Sequence, residues 1–208
     1  MKPEDGLRVG LDALGLAPTL SGEQADRLLA YLDLLNKWNK TYNLTAIREP
    51  ERMLTHHLLD SLAVLPFVGR DALLDVGSGA GLPGIPLAIS RPDLSITLLD
   101  VVGKKCAFMQ QACIQLGLAN TRVVNERVEL WRPEARFGQI ISRAYGELDD
   151  LVRQTGHLLA RGGRWLAMKG NLPQTELDHL RGARLVEAIR LRVPDLEAER
   201  HLIILEAA

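Results

Sequence analysis

The spacing of apolar positions changes near residue 69. Before it, leucines recur three and four apart: Leu28, Leu29, Leu32 and Leu35 make one stripe, and Met53, Leu54, Leu58, Leu62 and Leu65 another. That period predicts helices over about Glu23–Asn39 and Pro50–Leu65. Ser21-Gly22-Glu23 can cap the first, and Pro66 ends the second. After Gly69, short apolar runs alternate with helical stretches. Strands are predicted at Leu73–Val76, Ser95–Asp100, Thr121–Asn125, Gln139–Ser142 and Arg164–Lys169, with helices at Ile85–Ser90, Lys104–Gly117, Glu147–Leu159 and Gln174–Leu180. Two more strands, near Leu185–Val193 and His201–Glu206, follow without a long helix between them.

Strand–helix alternation implies right-handed crossovers and an α/β fold, Rossmann-like, with helices on both faces of a parallel sheet. The final pair of strands predicts one antiparallel strand. The division expected is an N-terminal helical extension, residues 1–68, packed on a single compact unit, residues 69–208. Ligands then belong at the carboxyl ends of the strands.

The stretch Leu73-Leu74-Asp75-Val76-Gly77-Ser78-Gly79-Ala80-Gly81-Leu82-Pro83-Gly84 sits at the first such end. Glycines at a strand-to-helix junction permit positive φ and let a ligand touch backbone, and the helix start adds free N–H groups. Gly79, Gly81 and Gly84 also fit the dinucleotide spacing G-x-G-x-x-G. The first glycine after the strand is Gly77, however, so that register would begin two residues late. Asp75 would also set a carboxylate near a pyrophosphate. A cofactor with a cationic centre and an amino-acid head group, such as S-adenosylmethionine, suits an acidic strand end better. Asp100 ends the second strand about twenty residues on, where a carboxylate can accept from both ribose hydroxyls; a helix cap is the alternative.

Composition narrows the partners. The chain has 208 residues and a net charge of −1. A free, non-specific nucleic-acid binder is usually basic, so a nucleic-acid role must rest on a local patch or a defined particle. Cys106 and Cys113 lie seven apart on one helical face and read as small buried side chains; no metal-ligand spacing or disulfide framework is present. Residues 1–10 are polar, unlike a signal peptide, and no apolar run approaches membrane-spanning length. The expected compartment is a reducing cytoplasm.

At the fourth strand end stands Ser142-Arg143-Ala144-Tyr145, not the Asn/Asp-Pro-Pro-aromatic stretch of enzymes that methylate exocyclic amines. Neither cysteine lies where a carbon-methylating nucleophile should be. A substrate needing no deprotonation fits, and guanine N7, with its in-plane lone pair, is one. Arg143 could hold a cofactor carboxylate or a guanine acceptor edge. In Lys37-Trp38-Asn39-Lys40-Thr41-Tyr42, cations and aromatic faces combine as in RNA binders, although Trp38 and Tyr42 could equally pack on the sheet.

Read together, the chain resembles the ribosomal RNA small subunit methyltransferase G family, also called glucose-inhibited division protein B. The resemblance rests on Lys37-Trp38-Asn39-Lys40, Tyr42-Asn43-Leu44-Thr45, His57-Leu58-Leu59-Asp60-Ser61, the glycine turn with Leu82-Pro83-Gly84-Ile85-Pro86, Leu98-Leu99-Asp100, Ile141-Ser142-Arg143-Ala144, Lys169-Gly170 and Glu199-Arg200-His201-Leu202. His56 stands where some relatives carry a more basic residue. The resemblance implies a class I methyltransferase sheet and N7 methylation of one guanine in 16S ribosomal RNA, with S-adenosylmethionine as cofactor. It carries cofactor roles to Gly77, Leu82, Val128, Glu129 and Arg143, beside Gly79 and Gly81 from the turn and Asp100 from the second strand end. Arg143 and His57 are expected to position the substrate with no general base. Lys37, Lys40, Asn43, His57, Lys104 and Lys169 are expected to contact RNA, in the small subunit or an assembly intermediate, and the enzyme to be a monomer. The alternatives are an NAD-linked oxidoreductase and a non-catalytic RNA-binding assembly factor.

Overall fold

The computed structural model describes residues 2–208; Met1, the first residue of the stretch read as polar, lies outside the described residues. Helix α1 (Pro3–Ala13) comes first, then α2 (Gly22–Tyr42). The predicted second helix is three pieces in line: α3 (Pro50–Met53), one π-helical segment (Leu54–Leu59) and α4 (Asp60–Leu62). It stops before Leu65. Pro66 does not terminate it but lies in a separate 3-10 turn, Leu65–Phe67. Strand β1 (Leu73–Val76), helix α5 (Gly84–Ser90), β2 (Ile96–Asp100), α6 (Gly103–Gln115), β3 (Thr121–Asn125) and β4 (Phe137–Arg143) follow. The chain ends with α7 (Leu148–Thr155), β5 (Leu159–Lys169), α8 (Gln174–Asp178), β6 (Ala183–Leu191) and β7 (Arg200–Ala207).

The strands form one sheet in the order β3-β2-β1-β4-β5-β7-β6. All neighbours from β3 to β5 are parallel, and β7 runs antiparallel to both β5 and β6. The single antiparallel strand expected from the missing crossover is β7. Its insertion between β5 and β6 departs from the dinucleotide-binding order, which weighs against the oxidoreductase alternative. Order reverses between β1 and β4. Val76 pairs with Leu99 on one side and Ser142 on the other, so Gly77, Asp100 and Arg143 emerge side by side.

Both faces of the sheet are covered, which is why its central strands read as unbroken apolar runs. Alternate residues feed different cores. Leu73, Leu98 and Ile141 join Phe108, Ile85 and the leucines of α1 and α2, whereas Leu74, Leu99 and Ile140 join Leu148, Leu151 and Trp165. The N-terminal helices therefore share a core with α5 and α6. Helix α1 escaped the sequence pattern because its buried stripe is only Gly6, Leu7, Gly10 and Leu11.

Helix α2 starts with a reciprocal cap. Ser21 Oγ accepts from the Gln24 N–H at 3.2 Å, and Gln24 Oε1 accepts from the Ser21 N–H at 2.8 Å. Gln24 Nε2 also donates to the Ile89 carbonyl at 2.9 Å, tying α2 to the end of α5. Helix α5 in turn lies hard against the sheet at Gly84. A Cβ there would run into Leu98 Cδ2 and come within 2.6 Å of Asp75 Oδ2. Gly84→Ala is expected to destabilise the fold by about 1–3 kcal/mol through overpacking, read as a lower midpoint in urea unfolding.

Candidate active site

The turn after β1 is built by backbone. The Leu99 carbonyl accepts from the N–H groups of Gly77 (2.8 Å) and Ser78 (3.1 Å), and the Ser78 carbonyl from those of Gly81 (2.8 Å) and Leu82 (2.9 Å). Gly77, Gly79 and Gly81 have φ of 68°, 60° and 85°, conformations L side chains rarely adopt. A Cβ on Gly81 would collide with Ile85, whereas one on Gly79 would find nothing nearer than 3.9 Å. So Gly81 serves the turn's packing, while Gly79 fronts open space. Tyr31 Oη, buried in α2, donates to the Ala80 carbonyl at 2.7 Å and braces the turn from behind.

Two carboxylates flank it. Asp75 is fully enclosed; Oδ2 accepts from the Gly84 N–H at 2.9 Å, and Oδ1 has no partner. Burial pushes its pKa up to about 7, against a smaller downward pull from the Gly84 hydrogen bond. Asp100 is 5% exposed. Its Oδ2 accepts from the Gly79 N–H at 2.9 Å and its Oδ1 from the Val102 N–H at 2.8 Å. The carboxylate thus caps α6 and pins the turn, and each oxygen keeps a second lone pair for a ligand. Helix cap and ribose acceptor are compatible roles. Beside it Val101 is 57% exposed, a large apolar face at the strand end that the sequence reading passed over.

Across the turn, Tyr145 lies against Gly77, with its ring 3.2 Å from where a Cβ would stand. Burial, and after it the Glu129 charge, push the Tyr145 phenol upward. Glu129 is exposed and Val128, next to it, is buried. Leu82 is also buried; the Leu82–Pro83 peptide is cis.

Arg143 leaves β4 towards the N-terminal helices. Its Nη1 donates to Asp60 Oδ2 at 3.1 Å and to the His56 carbonyl at 3.0 Å. Arg200, from β7, donates through Nε to Asp60 Oδ1 at 2.9 Å. Asp60 is 2% exposed, so one buried carboxylate holds two guanidinium groups. The partly exposed His56 also meets the Arg52 carbonyl through Nδ1 at 3.1 Å.

His57 differs from its expected place at an RNA surface. It is buried, with Nε2 2.8 Å from Thr45 Oγ1 and Nδ1 without a partner. Burial, with the Arg143 charge, lowers its pKa to about 4, so the ring is neutral. Asn39 organises this corner: Oδ1 accepts from the Thr45 N–H at 2.9 Å and Nδ2 donates to the Ile47 carbonyl at 3.3 Å. Its amide was not singled out in sequence because its partners lie in a loop.

The RNA-facing candidates divide. Lys37 and Lys40 are exposed on α2. Lys104 donates to the Tyr42 carbonyl at 2.9 Å, fixing the end of α2 beside α6. Lys169 is not a free cation: Glu176 holds its ammonium at 2.7 and 3.0 Å. Asn43, the left-handed cap of α2, accepts from Arg48 Nη2 at 2.7 Å. Trp38 packs on Phe108 with ring centres 5.6 Å apart, while Tyr42 is exposed.

The sequence profile of the rRNA small subunit methyltransferase G family matches residues 24–203. The chain belongs to this family. It is 56% identical over 207 residues to the ribosomal RNA small subunit methyltransferase G of Neisseria meningitidis serogroup C (strain 053442), covering 99% of each chain. Identity to the Laribacter hongkongensis protein of the same name is 54% over 204 residues, 98% of each. Among solved structures, Burkholderia thailandensis 1,6-didemethyltoxoflavin-N1-methyltransferase superimposes with a TM-score of 0.59 at 13% identity, covering 91% of this chain and 92% of the other. A ribosomal protein L11 methylase from Lactobacillus delbrueckii gives 0.54 at 16%, covering 72% and 76%. The fold is that of class I methyltransferases, and this family member is a methyltransferase that uses S-adenosylmethionine. The residues fit that cofactor: an open face at Gly79, an orphaned buried Asp75 oxygen, Asp100 with free lone pairs, and the bare Val101 side chain.

Asp75 and His57 tilt stability in opposite directions. A carboxyl whose folded pKa is about 7, above its usual 3.8, stabilises the fold fully at low pH and loses that contribution as pH rises through 7. A histidine held near 4, below 6.5, contributes above 6.5 and loses it as pH falls towards 4. Asp75→Asn removes the first slope and keeps an acceptor for Gly84. The difference in Tm, variant minus wild type, is therefore expected to rise by roughly 5 °C or more between pH 4.5 and 8. Calorimetry across that range checks it; a flat difference refutes the enclosed, orphaned state of Asp75.

Proposed function

We propose that this methyltransferase transfers its methyl group to N7 of one guanine in 16S ribosomal RNA, within the small subunit or an assembly intermediate. One observation carries the reading of the target atom. Four titratable groups near the turn are already engaged or enclosed: Asp60 by two arginines, Asp100 by two backbone N–H groups, His57 by Thr45, and Asp75 beneath the turn. Such a site has little with which to take a proton from an amine. Guanine N7 needs no such step, because its lone pair is already available. Catalysis then rests on proximity and orientation.

In this reading the backbone of Gly77, Gly79, Gly81 and Leu82 cradles the cofactor, and Asp100 accepts from its ribose. Val128 and Glu129 border the adenine, and Arg143 meets the carboxylate end with the N–H donors that Asp60 and His56 leave over. When bound, S-adenosylmethionine supplies a methyl group activated by its sulfonium charge. Neutral His57, fixed by Thr45, shapes the wall beside Arg143 and positions rather than titrates. Lys37, Lys40 and Lys104 offer the RNA cations near the mouth, with Lys169 contributing less because Glu176 shares its charge. The enzyme acts as a cytoplasmic monomer; among the described residues no helix is long and apolar enough to cross a membrane. The relatives' shared name supports an RNA of the small subunit as substrate.

The reading is tested by incubating the protein and S-adenosylmethionine with small subunits lacking the modification and digesting the RNA to nucleosides. Mass spectrometry is expected to find 7-methylguanosine; methyl transfer to an exocyclic amine, or none, overturns it. Asp100→Ala is expected to weaken cofactor binding by about tenfold or more, since a hydrogen bond to a charged acceptor contributes roughly 1.5–3 kcal/mol. It also removes a cap, at a cost of about 1 kcal/mol in stability. An unchanged dissociation constant in calorimetry removes Asp100 from the ribose.

A further inference from the structure

A group of unpaired arginines lies away from the cofactor mouth. A cleft of 790 Å³ opens at the amino end of β5, between α7 and the loop joining α8 to β6. Arg136, Arg153, Arg161 and Arg181 line it, with Asp149 as the one carboxylate among the lining residues. Asp149 is already occupied, its Oδ1 accepting from the Arg181 backbone N–H at 3.1 Å, and Arg153 is paired with Asp150. Among the described residues, the guanidinium groups of Arg136, Arg161 and Arg181 make no ion pair. Next to the cleft, Arg132 Nη1 lies 2.8 Å from His157 Nε2, a further cation with no carboxylate on it.

That concentration is unexpected in a chain of net charge −1. Several cations elsewhere are neutralised: Arg91, Arg143, Lys169, Arg184, Arg190 and Arg200 each meet a carboxylate. Unneutralised guanidinium forks gathered in one concavity match phosphate oxygens, which accept the paired N–H donors and supply the missing charge. A protein whose substrate is an RNA meets such oxygens in a row.

We propose that this cleft is a second RNA-binding surface, which takes the phosphate backbone of the substrate RNA at a distance from the target base. The proposal rests on the reading of the substrate as RNA. Parallel strand geometry sets the distance. The glycine turn is level with Arg143 and Met168, at the carboxyl ends of the strands. The stretch from Gly163 to Lys169 alone spans roughly 20 Å, at about 3.3 Å per residue. One RNA can therefore reach both places only if its fold extends at least that far past the target guanine. A short stem-loop carrying the target base would use the mouth alone, whereas a folded rRNA domain or a particle would use both.

The test is the triple variant Arg136→Gln/Arg161→Gln/Arg181→Gln, compared with wild type on two substrates: unmodified small subunits and a short hairpin carrying the target sequence. Unchanged thermal unfolding and S-adenosylmethionine affinity establish that the variant is folded; a misfolded triple is replaced by the three single Arg→Gln variants, each expected to flatten the salt slope on the subunit by roughly 0.7–0.9 and to leave the hairpin unchanged. Affinity for the subunit is expected to fall roughly tenfold or more, and the dependence of log K on log salt to flatten by about two units, since each lost phosphate contact removes roughly 0.7–0.9. Binding to the hairpin is expected not to change. An equal loss on both substrates, or an unchanged affinity and salt slope on the subunit, overturns the proposal. If wild type itself methylates neither RNA, the functional reading has failed instead, a result distinct from a triple variant that behaves as wild type.

Discussion

The Asp60 carboxylate decides how three distant parts of the chain meet. It sits on the N-terminal helices, and its two partners arrive from β4 and β7, 83 and 140 residues further on. A carboxylate at 2% exposure cannot stay charged without compensation, and here two guanidinium groups supply it. The arrangement works only if the helix from Pro50 delivers Asp60 at the right rotation. The π-helical segment Leu54–Leu59 does this, adding a residue to the turn just before Asp60. The same segment presents the His56 carbonyl to Arg143 and turns His57 inward. Helical extension and sheet are thereby locked together at the strand ends where the glycine turn lies.

Around that lock the protein tolerates groups that an optimally stable core would not contain. Asp75 is enclosed with one oxygen unpartnered, and His57 is enclosed with one nitrogen unpartnered. Each costs free energy in the folded state, and both lie within reach of the Arg143 charge, which pulls Asp75 down and disfavours protonation of His57. Orphaned polar atoms are rare in folded proteins, and they concentrate where a ligand completes the set. Tyr31 shows the contrasting solution: equally buried, it is satisfied by the Ala80 carbonyl and serves as a strut.

Much of this was legible in the chain. Alternating apolar runs gave the parallel sheet, and the absent crossover before His201 gave the antiparallel strand. The places of Gly79 in the turn and Asp100 at the strand end were legible from spacing alone, because both are local features. What escaped depended on contacts and rotations that apolar spacing does not encode. Nothing near Asp60 announces Arg200, and nothing near Lys169 shows that Glu176, across a loop, will take its charge. His57 was expected at the RNA on the strength of the family resemblance; the π-helical rotation that buries it has no signature in apolar spacing. Helix α1 was missed because two glycines interrupt its stripe, and one of them, Gly10, gives Leu59 the room to pack.

Charge placement follows from the same geometry. The strand ends that build the glycine turn hold carboxylates, Asp75 and Asp100, and Asp60 nearby binds two cations internally. Arginines recruited to that work cannot also attract phosphates. In the proposed reading, cations for a polyanion sit apart from these carboxylates, on the exposed face of α2 and at the far end of β5. A slightly acidic chain can still address RNA under this constraint, because its positive charge is sorted by position rather than supplied in excess. Sorting also limits non-specific binding, since an RNA must match separated patches at once to gain from them.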